Sequence, residues 1–296
     1  MAREQNTYTI FSHFVLSDNP SASHALLDYW AEEVAGVNTY GFGNGVVGLG
    51  WLIAFLSQND YLVLDGDTDE LLSDVDDNVY KVTLKTVLED RPDIGYLLKL
   101  ATFYQQRLAT KKSKAHFYRR FTHFECLKLL LGRLDSFLLS NTVGDSDAYL
   151  RVDVLLKYSF LLKTCISESL VERAFYKTME QLIVYFEDFK TLNNLDDKMR
   201  LNMSKLLLCA AQYNNPYWVE KLLRIYASIG AQTHTPEQVI WDSLLTSNAP
   251  SIIVEKNRGY LSTTEGQRLL FTMYTNIHEF KITNDKSLYN YCNSSV

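Results

Sequence analysis

The stretch Tyr40–Trp51 reads YGFGNGVVGLGW and holds five of the thirteen glycines of the 296-residue chain. Glycine has no Cβ, so a cluster of this density permits positive φ angles and lets other segments approach the backbone closely. Gly41, Gly45 and Gly48 would share one side of a helix. We therefore predict a glycine-rich turn and then a helix over Asn44–Gln58, whose smooth side packs closely against a neighbouring helix or a ligand.

The same glycines also match a pattern of dinucleotide-binding turns, because Gly43, Gly45 and Gly48 are spaced as GxGxxG. That pattern requires a preceding buried strand, a βαβ unit and an acidic residue about twenty positions later. Aspartates lie at about that distance, but residues 36–40 (GVNTY) are not typical of a buried strand and no βαβ alternation follows. The sequence therefore argues against a dinucleotide site.

The rest of the chain contains only five prolines. Long stretches of periodic hydrophobicity with few helix-breaking residues favour helices. We predict ten or eleven helices with short connections, packed as antiparallel hairpins. No linker is long enough to require a domain boundary, and the Ser140–Asp147 loop is the best of several weak candidates for one. We therefore expect a single domain over residues 1–296. Besides Asn44–Gln58, the predicted helices run from Ser21 or Ser23 to Val34 and over Thr68–Leu88, Asp93–Leu108, Lys114–Leu139, Asp147–Ile166, Ser169–Lys190, Leu195–Gln212, Pro216–Ile229, Pro236–Leu245 and Thr264–Ile277, with short extended segments at Tyr61–Leu64 and Ser251–Val254.

Composition and charge exclude several classes of protein. The chain is 47% hydrophobic and 22% charged, which is typical of a globular protein and excludes a disordered or collagen-like chain. A formal charge of −6 gives no electrostatic reason to expect nucleic acid or an anionic membrane as a partner. Met1–Ser12 has no signal-peptide core and the apolar runs are too short to span a bilayer, so we expect a cytoplasmic location.

The sequence predicts no metal site, cofactor or catalytic residue. The cysteines occur singly without a CxxC pair, and no GxSxG or HExxH motif is present. His123 and Cys126 are three positions apart, but two ligands are too few for zinc, and we interpret them as a partly buried cysteine beside a polar histidine. His234 is expected to be an exposed loop histidine. The four cysteines are Cys126, Cys165, Cys209 and Cys292.

Two charged stretches are interpreted as ordinary surface. The acidic stretch from Asp65 resembles a calcium loop, but position six is Glu70 rather than glycine and position twelve is Asp76 rather than glutamate. We therefore predict a capped, solvated helix start there. The basic stretch Lys111–Arg120, with the neighbouring aromatic Phe121, is expected to begin an amphipathic helix rather than to bind nucleic acid.

The glycine segment resembles a known family. Asn44–Trp51, followed by LIAFL, is similar to the GxxGIGW helix start of the lanthionine synthetase C-like family. Asp67–Asp76 (DTDELLSDVD) is similar to the acidic helix that follows this motif in bacterial members. A third, weaker match is Asp93–Leu98 (DIGYLL), where the family often has another glycine turn before an inner helix. The main resemblance covers Asn38–Val82, about a sixth of the chain.

The resemblance implies an all-α fold of the α/α toroid type, a ring of helical hairpins in which a glycine turn leads into each inner helix. Family cyclases bind zinc through one cysteine and a later Cys-His pair, and the metal activates a peptide thiol that adds to a dehydrated serine or threonine. This chain has no Cys-His dipeptide, and Ala210 and Ala211 follow Cys209 where the family has Tyr-Gly. We therefore carry over no metal ligand and expect a reduced or incomplete ring.

We predict a lanthionine synthetase C-like protein without zinc that binds, or helps to mature, a peptide made in the same bacterial cell. Its substrate-binding residues are predicted to be Asn44, Gly45, Gly48 and Trp51, at the start of the glycine helix. Two alternatives stay open. One is a helical scaffold for protein–protein interaction, and the other is an α/α-toroid glycosidase that uses two carboxylates.

Overall fold

The computed structural model describes nine stretches of the chain, and the statements below concern these residues. They are residues 6–37, 39–64, 66–109, 117–140, 145–163, 168–189, 197–229, 235–246 and 250–277. Predictions on a further set of positions lie outside the described residues. These positions are Asn38, Asp65, Lys111, Lys112, Lys114, Cys165, His234, Cys292 and the centre of the Ser140–Asp147 loop.

The described residues form helices joined by turns, with no strand among them, so the predicted all-α class is confirmed. The toroid stays a prediction. The helices in chain order are α1 Thr7–Leu16, α2 Pro20–Gly36, α3 Val46–Gln58, α4 Thr68–Leu71, α5 Ser73–Leu88, α6 Ile94–Ala109, α7 Phe117–Leu138, α8 Asp145–Lys163, α9 Glu168–Phe189, α10 Asp197–Gln212, α11 Pro216–Ser228, α12 Pro236–Thr246, α13 Pro250–Lys256, α14 Arg258–Leu261 and α15 Thr264–Asn276.

Most of the predicted helices have nearly the expected bounds. Among them, α3, α6, α9, α10, α11, α12 and α15 begin and end within two residues of the prediction. Pro216 and Pro236 occupy first-turn positions, where the missing N–H is not needed by the helix. The helix α7 runs through Gly132 without a break.

Some predictions were wrong. Ser251–Val254 is part of α13 rather than extended, because the β-branched residues find no partner strand among the described residues and Pro250 opens a helix. Tyr61–Leu64 contains bends and irregular backbone. The predicted helix Thr68–Leu88 is interrupted at Leu72, which separates α4 from α5.

The first helix, α1, was not predicted at all. Its N-cap is Asn6, whose side-chain oxygen accepts hydrogen bonds from the backbone N–H groups of Tyr8 and Thr9, both at 3.0 Å. These bonds satisfy donors that a helix start otherwise leaves unpaired. Seven of the ten residues of α1 are buried, so the helix is held mainly by packing.

The chain divides into two compact units, which are described separately, and the single-domain prediction stays a prediction. The first, unit 1, covers residues 1–133 and 262–271. Its central helix is α3, which packs against α1, α2, α5 and α6. Eight of the thirteen residues of α3 are buried, as expected for a helix that is apolar on most sides.

The second, unit 2, covers residues 134–261 and 272–296. In it α10 packs against α8, α11 and α12, and α8 packs against α9. Buried cations stabilise the ends of helices here: Arg151 donates to the carbonyl of Leu138 at 2.9 Å, and Lys157 donates to the carbonyl of Thr275 at 2.9 Å. A positive charge at a helix C-terminus offsets the partial negative charge of its free carbonyls. No described helix of either unit is long and apolar enough to cross a membrane.

Candidate functional site

The glycine turn before α3 is built by close backbone contacts that leave no room for side chains. Gly45 is the N-cap of α3 with an extended backbone, and the N–H of Val46 donates to the carbonyl of Thr39 at 2.9 Å. A Cβ on Gly45 would lie 2.5 Å from the Thr39 oxygen. A Cβ on Gly48 would lie 1.8 Å from the carbonyl oxygen of Phe42. Glycine is therefore required at these positions because a Cβ has no room there, and not because the backbone has a positive φ.

The turn is fixed from its other side by α1. The backbone N–H of Thr7 donates to the carbonyl of Gly43 at 2.8 Å, and its hydroxyl donates to the carbonyl of Phe42 at 2.5 Å. Thr7 is fully buried, so these bonds are shielded from water. Sequence reasoning missed this contact, although the pair Asn6-Thr7 is a helix-start signal that could have indicated α1.

Of the four residues predicted to bind a substrate, only Asn44 is exposed. Gly45 and Gly48 are buried in the backbone contacts described above. Trp51 is 1% exposed, and its ring packs against four phenylalanine rings at centroid distances of 4.8–5.9 Å. The structure therefore gives these three residues a packing role, and their contact with a substrate stays a prediction. The four rings belong to Phe11, Phe42, Phe55 and Phe271.

Side chains from α6 and α15 extend the surface next to Asn44. The hydroxyl of Tyr96, in the first turn of α6, donates to the carbonyl of Tyr40 at 2.8 Å. The guanidinium of Arg268, near the start of α15, lies 6.0 Å from the ring centroid of Tyr8, which in turn lies over the glycine turn. We call these five residues, Tyr8, Tyr40, Asn44, Tyr96 and Arg268, the turn surface.

The turn surface is electrostatically suited to hydrogen-bond acceptors. The helices α1 and α3 both begin at it, and the N-terminal end of a helix carries a partial positive charge. Burial raises the pKa of Tyr96 to about 12, with a further contribution from Glu89, so its hydroxyl stays protonated. Burial also raises the pKa of Tyr8, an effect that the nearby Arg268 opposes. The surface therefore presents neutral hydroxyls and a cation.

A second feature of unit 1 is a buried ionic group formed by side chains of α4, α5, α6 and α7, which we call the Arg107 cluster. The guanidinium of Arg107 donates to Asp69 at 2.8 Å and to both carboxylate oxygens of Asp76 at 2.9 and 2.8 Å. His123 and Arg119 approach Asp76 at 3.4 and 3.6 Å. The prediction of a solvated helix start is thus wrong for Asp69 and Asp76, although Asp67 does cap α4 as expected.

Charge pairing within the Arg107 cluster changes the ionisation of its carboxylates. Burial by itself would raise the pKa of Asp76, but the nearby His123 and the hydrogen bonds and charge of Arg107 outweigh it and hold that pKa below its ordinary value. Cys126 is fully buried rather than partly buried as predicted, and burial raises the pKa of its thiol. A buried, protonated thiol is a poor nucleophile. The cluster therefore ties α4, α5, α6 and α7 together rather than offering a reactive group.

Of the turn surface, sequence reasoning found Asn44 but not the side chains of Tyr8, Tyr40, Tyr96 and Arg268. Tyr96 lies in the weaker third match, Asp93–Leu98, which was a usable signal. No sequence signal indicated Arg268, because it is more than two hundred positions from the turn. Within the described ranges, no group of three or more His, Cys, Asp or Glu side chains is placed to hold a metal ion.

Comparison of the chain with protein-family models, with curated proteins and with solved structures finds no match. The resemblance to the lanthionine synthetase C-like family therefore depends on the quoted sequence motifs alone, and the function that it implies is a proposal.

Proposed function

We propose that this chain is a lanthionine synthetase C-like protein without zinc, which acts in bacterial peptide modification or maturation by holding a peptide at the turn surface. The observation that carries this proposal is the meeting of the N-terminal ends of α1 and α3 at the glycine turn, with Asn44 exposed at its tip. This is the segment on which the family resemblance depends.

The packing of the motif segments supports the proposal. The glycine motif forms the turn and α3, the acidic motif forms α4 and the start of α5, and α5 and α6 both pack against α3. Asp69 and Asp76 of the acidic motif are buried on Arg107 of α6. The segments that resemble the family are thus parts of one packed substructure, as expected if the motifs maintain a common fold.

The chemistry of the turn surface suits a polypeptide ligand. A peptide offers a carbonyl oxygen at every residue and an N–H at most of them. The amide of Asn44 can donate to and accept from such groups, and the hydroxyls of Tyr8 and Tyr40 and the Arg268 guanidinium add donors. Tyrosine rings supply contact area at a low cost in side-chain entropy.

A peptide-display experiment tests the proposal. A random peptide library is selected on the full-length protein, and the enriched peptides are titrated against the wild type and against Asn44→Asp. Loss of the amide donor and the added negative charge should weaken binding about threefold to tenfold, the effect of one net hydrogen bond. The matched control is Asn19→Asp, which makes the same chemical change at the exposed N-cap of α2, beyond the other end of α1.

The outcome against the proposal is equally specific. If selection enriches no peptide, or if the enriched peptides bind Asn44→Asp and the wild type with equal affinity, the turn surface is not a peptide site. Equal weakening by Asn19→Asp and Asn44→Asp would show that added charge anywhere on unit 1 reduces binding.

A further inference from the structure

The side chain of Asn44 lies over Gly41, in the space that a side chain on Gly41 would fill. A Cβ on Gly41 would lie 2.8 Å from the Oδ1 atom of Asn44, which is closer than a Cβ approaches another heavy atom in proteins. Apart from the chain neighbours of Gly41, no other described residue has an atom within 4 Å of that Cβ. The carboxamide in its present orientation and a side chain at position 41 therefore exclude each other.

Hydrogen bonding fixes the main chain of Asn44 but not its side chain. The hydroxyl of Thr39 donates to the carbonyl of Asn44 at 3.0 Å. Among the described residues, the Asn44 carboxamide has no hydrogen-bond partner, and the residue is exposed. The side chain can therefore rotate between staggered rotamers, and the space left by its neighbours decides which of them are accessible. Its donor and its acceptor are both open to a ligand.

The backbone of Gly41 is held on two sides and cannot retreat from an added methyl group. The hydroxyl of Tyr96 donates to the carbonyl of Tyr40 at 2.8 Å, which holds the peptide group that precedes Gly41. On the other side, the nitrogen and the carbonyl oxygen of Gly41 lie 2.7 and 2.8 Å from the position of a Cβ on Gly45, so the two glycines pack backbone to backbone. A methyl group on Gly41 would therefore displace the Asn44 side chain rather than the turn.

Gly41 differs in this respect from Gly45 and Gly48, where a Cβ would meet a backbone oxygen. At Gly41 the obstacle is the end of an exposed side chain, which can rotate away. The φ angle of Gly41 is not positive, so its backbone conformation is open to alanine. Glycine at position 41 thus decides where the Asn44 carboxamide points, whereas the stability of the turn does not require it.

We propose that Gly41 is a positioning residue of the turn surface, because its lack of a side chain makes room for the orientation in which the Asn44 carboxamide meets a peptide. Gly41 acts through Asn44 and does not itself contact the ligand. The inference rests on the proposed function and deepens it, since it names the residue that sets how Asn44 is presented. A carboxamide holds its donor and acceptor in one plane, so a changed orientation misaligns both with the N–H and carbonyl groups of a peptide.

The orientation is tested first, without any ligand. NMR spectra of protein with isotopically labelled asparagine show the side-chain amide signals, and Asn44→Ala identifies the Asn44 signal by removing it. Gly41→Ala should shift this signal, because the carboxamide has to leave its place over position 41. It should not lower the urea midpoint of unfolding. The matched control is Gly36→Ala, where a Cβ would meet nothing within 4 Å, and it should leave the signal unchanged.

The consequence for binding is measured by a double-mutant cycle. Peptides enriched by display on the wild type are titrated against the wild type, Gly41→Ala, Asn44→Ala and the double variant. Gly41→Ala should raise the dissociation constant about twofold to fivefold, the effect of one impaired hydrogen bond. It should have no effect when residue 44 is already alanine, because the two positions act as one unit. The control Gly36→Ala should bind the peptides as the wild type does.

Three results would overturn the inference. An Asn44 signal that Gly41→Ala leaves in place would show that the carboxamide does not occupy the space over Gly41. Equal weakening of binding by Gly41→Ala in both backgrounds would assign the effect to the turn rather than to Asn44. A clearly lowered urea midpoint would show that the methyl group displaces the backbone. If display enriches no peptide, the proposed function fails, whereas the amide signal and the urea midpoint still decide whether Gly41 orients Asn44.

Discussion

Thr7 and Gly48 share a space that has room for only one side chain, since a Cβ on Gly48 would lie 2.2 Å from the hydroxyl oxygen of Thr7. It would also lie 1.8 Å from the carbonyl oxygen of Phe42, which accepts the Thr7 hydrogen bond. The start of α1, the glycine turn and the first turn of α3 are therefore one close-packed joint. The exposed position of Asn44 depends on this joint.

Gly48→Ala should destabilise the protein. Its Cβ would meet a backbone oxygen that cannot move without breaking the Thr7 contact, and overpacking of this kind costs about 1–3 kcal/mol. Urea unfolding followed by circular dichroism measures the change in the free energy of unfolding. The matched control is Gly132→Ala in α7, where a Cβ would meet nothing within 4 Å. That variant should be more stable than the wild type by about 0.5–1 kcal/mol, because alanine favours a helix interior. A Gly48→Ala protein as stable as the wild type would contradict the packing account.

Arg107→Met should lower the free energy of unfolding by about 3–5 kcal/mol, because it leaves two buried carboxylates without their shared cation. The arginine is fully buried and holds Asp69 and Asp76 together. Arg224→Met is the control, since it removes an arginine from an exposed pair with Glu220 and should change stability by about 0.5 kcal/mol or less. Similar small losses in both variants would show that the Arg107 cluster contributes little.

The local features of the fold were predictable from sequence because local chemistry decides them. The glycines of Tyr40–Trp51 indicated a turn and a following helix, and Pro216 and Pro236 indicated where helices begin. The bounds of α3, α11 and α12 agree closely with those signals. Each of these features depends on backbone sterics within a few residues.

The buried charges were not predictable, because their partners are distant in sequence. In the sequence, Asp69 and Asp76 resemble the solvated acidic residues of a helix start. Their partner Arg107 is 38 and 31 positions away and contacts them only in the folded protein. The β-branched run at Ser251–Val254 favoured an extended segment by intrinsic propensity, but packing decides the structure of such short runs. The burial of Trp51 likewise depends on Phe271, which the sequence places far away.

Acid should remove the contribution of Asp76 to stability. Its pKa is lower in the folded protein than the ordinary value of 3.8, so the stabilisation is present above that value and is lost as the pH falls through the folded pKa. Free energies of unfolding between pH 7 and pH 2 should show a constant difference between the wild type and Asp76→Asn above about pH 5, and a shrinking difference below about pH 4. A difference that does not vary with pH would mean that Asp76 is not ionised in the folded protein.

Cys126 and Cys209 should not react with iodoacetamide in the native protein at pH 8. Both side chains are almost completely buried, and burial raises both pKa values, that of Cys209 to about 12. The experiment uses a Cys165→Ser/Cys292→Ser background, and mass spectrometry counts the alkylated thiols. In urea both thiols should react, which is the internal control. Rapid labelling of either thiol without denaturant would show that the helices around it open locally.

Trp51 offers a test that separates packing from binding. Its indole lies among phenylalanine rings, so Trp51→Ala should cost about 3–5 kcal/mol of stability, whereas Trp51→Phe keeps an aromatic ring there and should cost less. Titration of the stable Trp51→Phe protein with peptides enriched by display then measures its role in binding. Because Trp51 is buried, Trp51→Phe should bind these peptides as the wild type does, while Asn44→Asp binds them more weakly. Loss of binding in a fully folded Trp51→Phe protein would instead identify Trp51 as a ligand contact, as the sequence predicted, and would require the aromatic cluster to open.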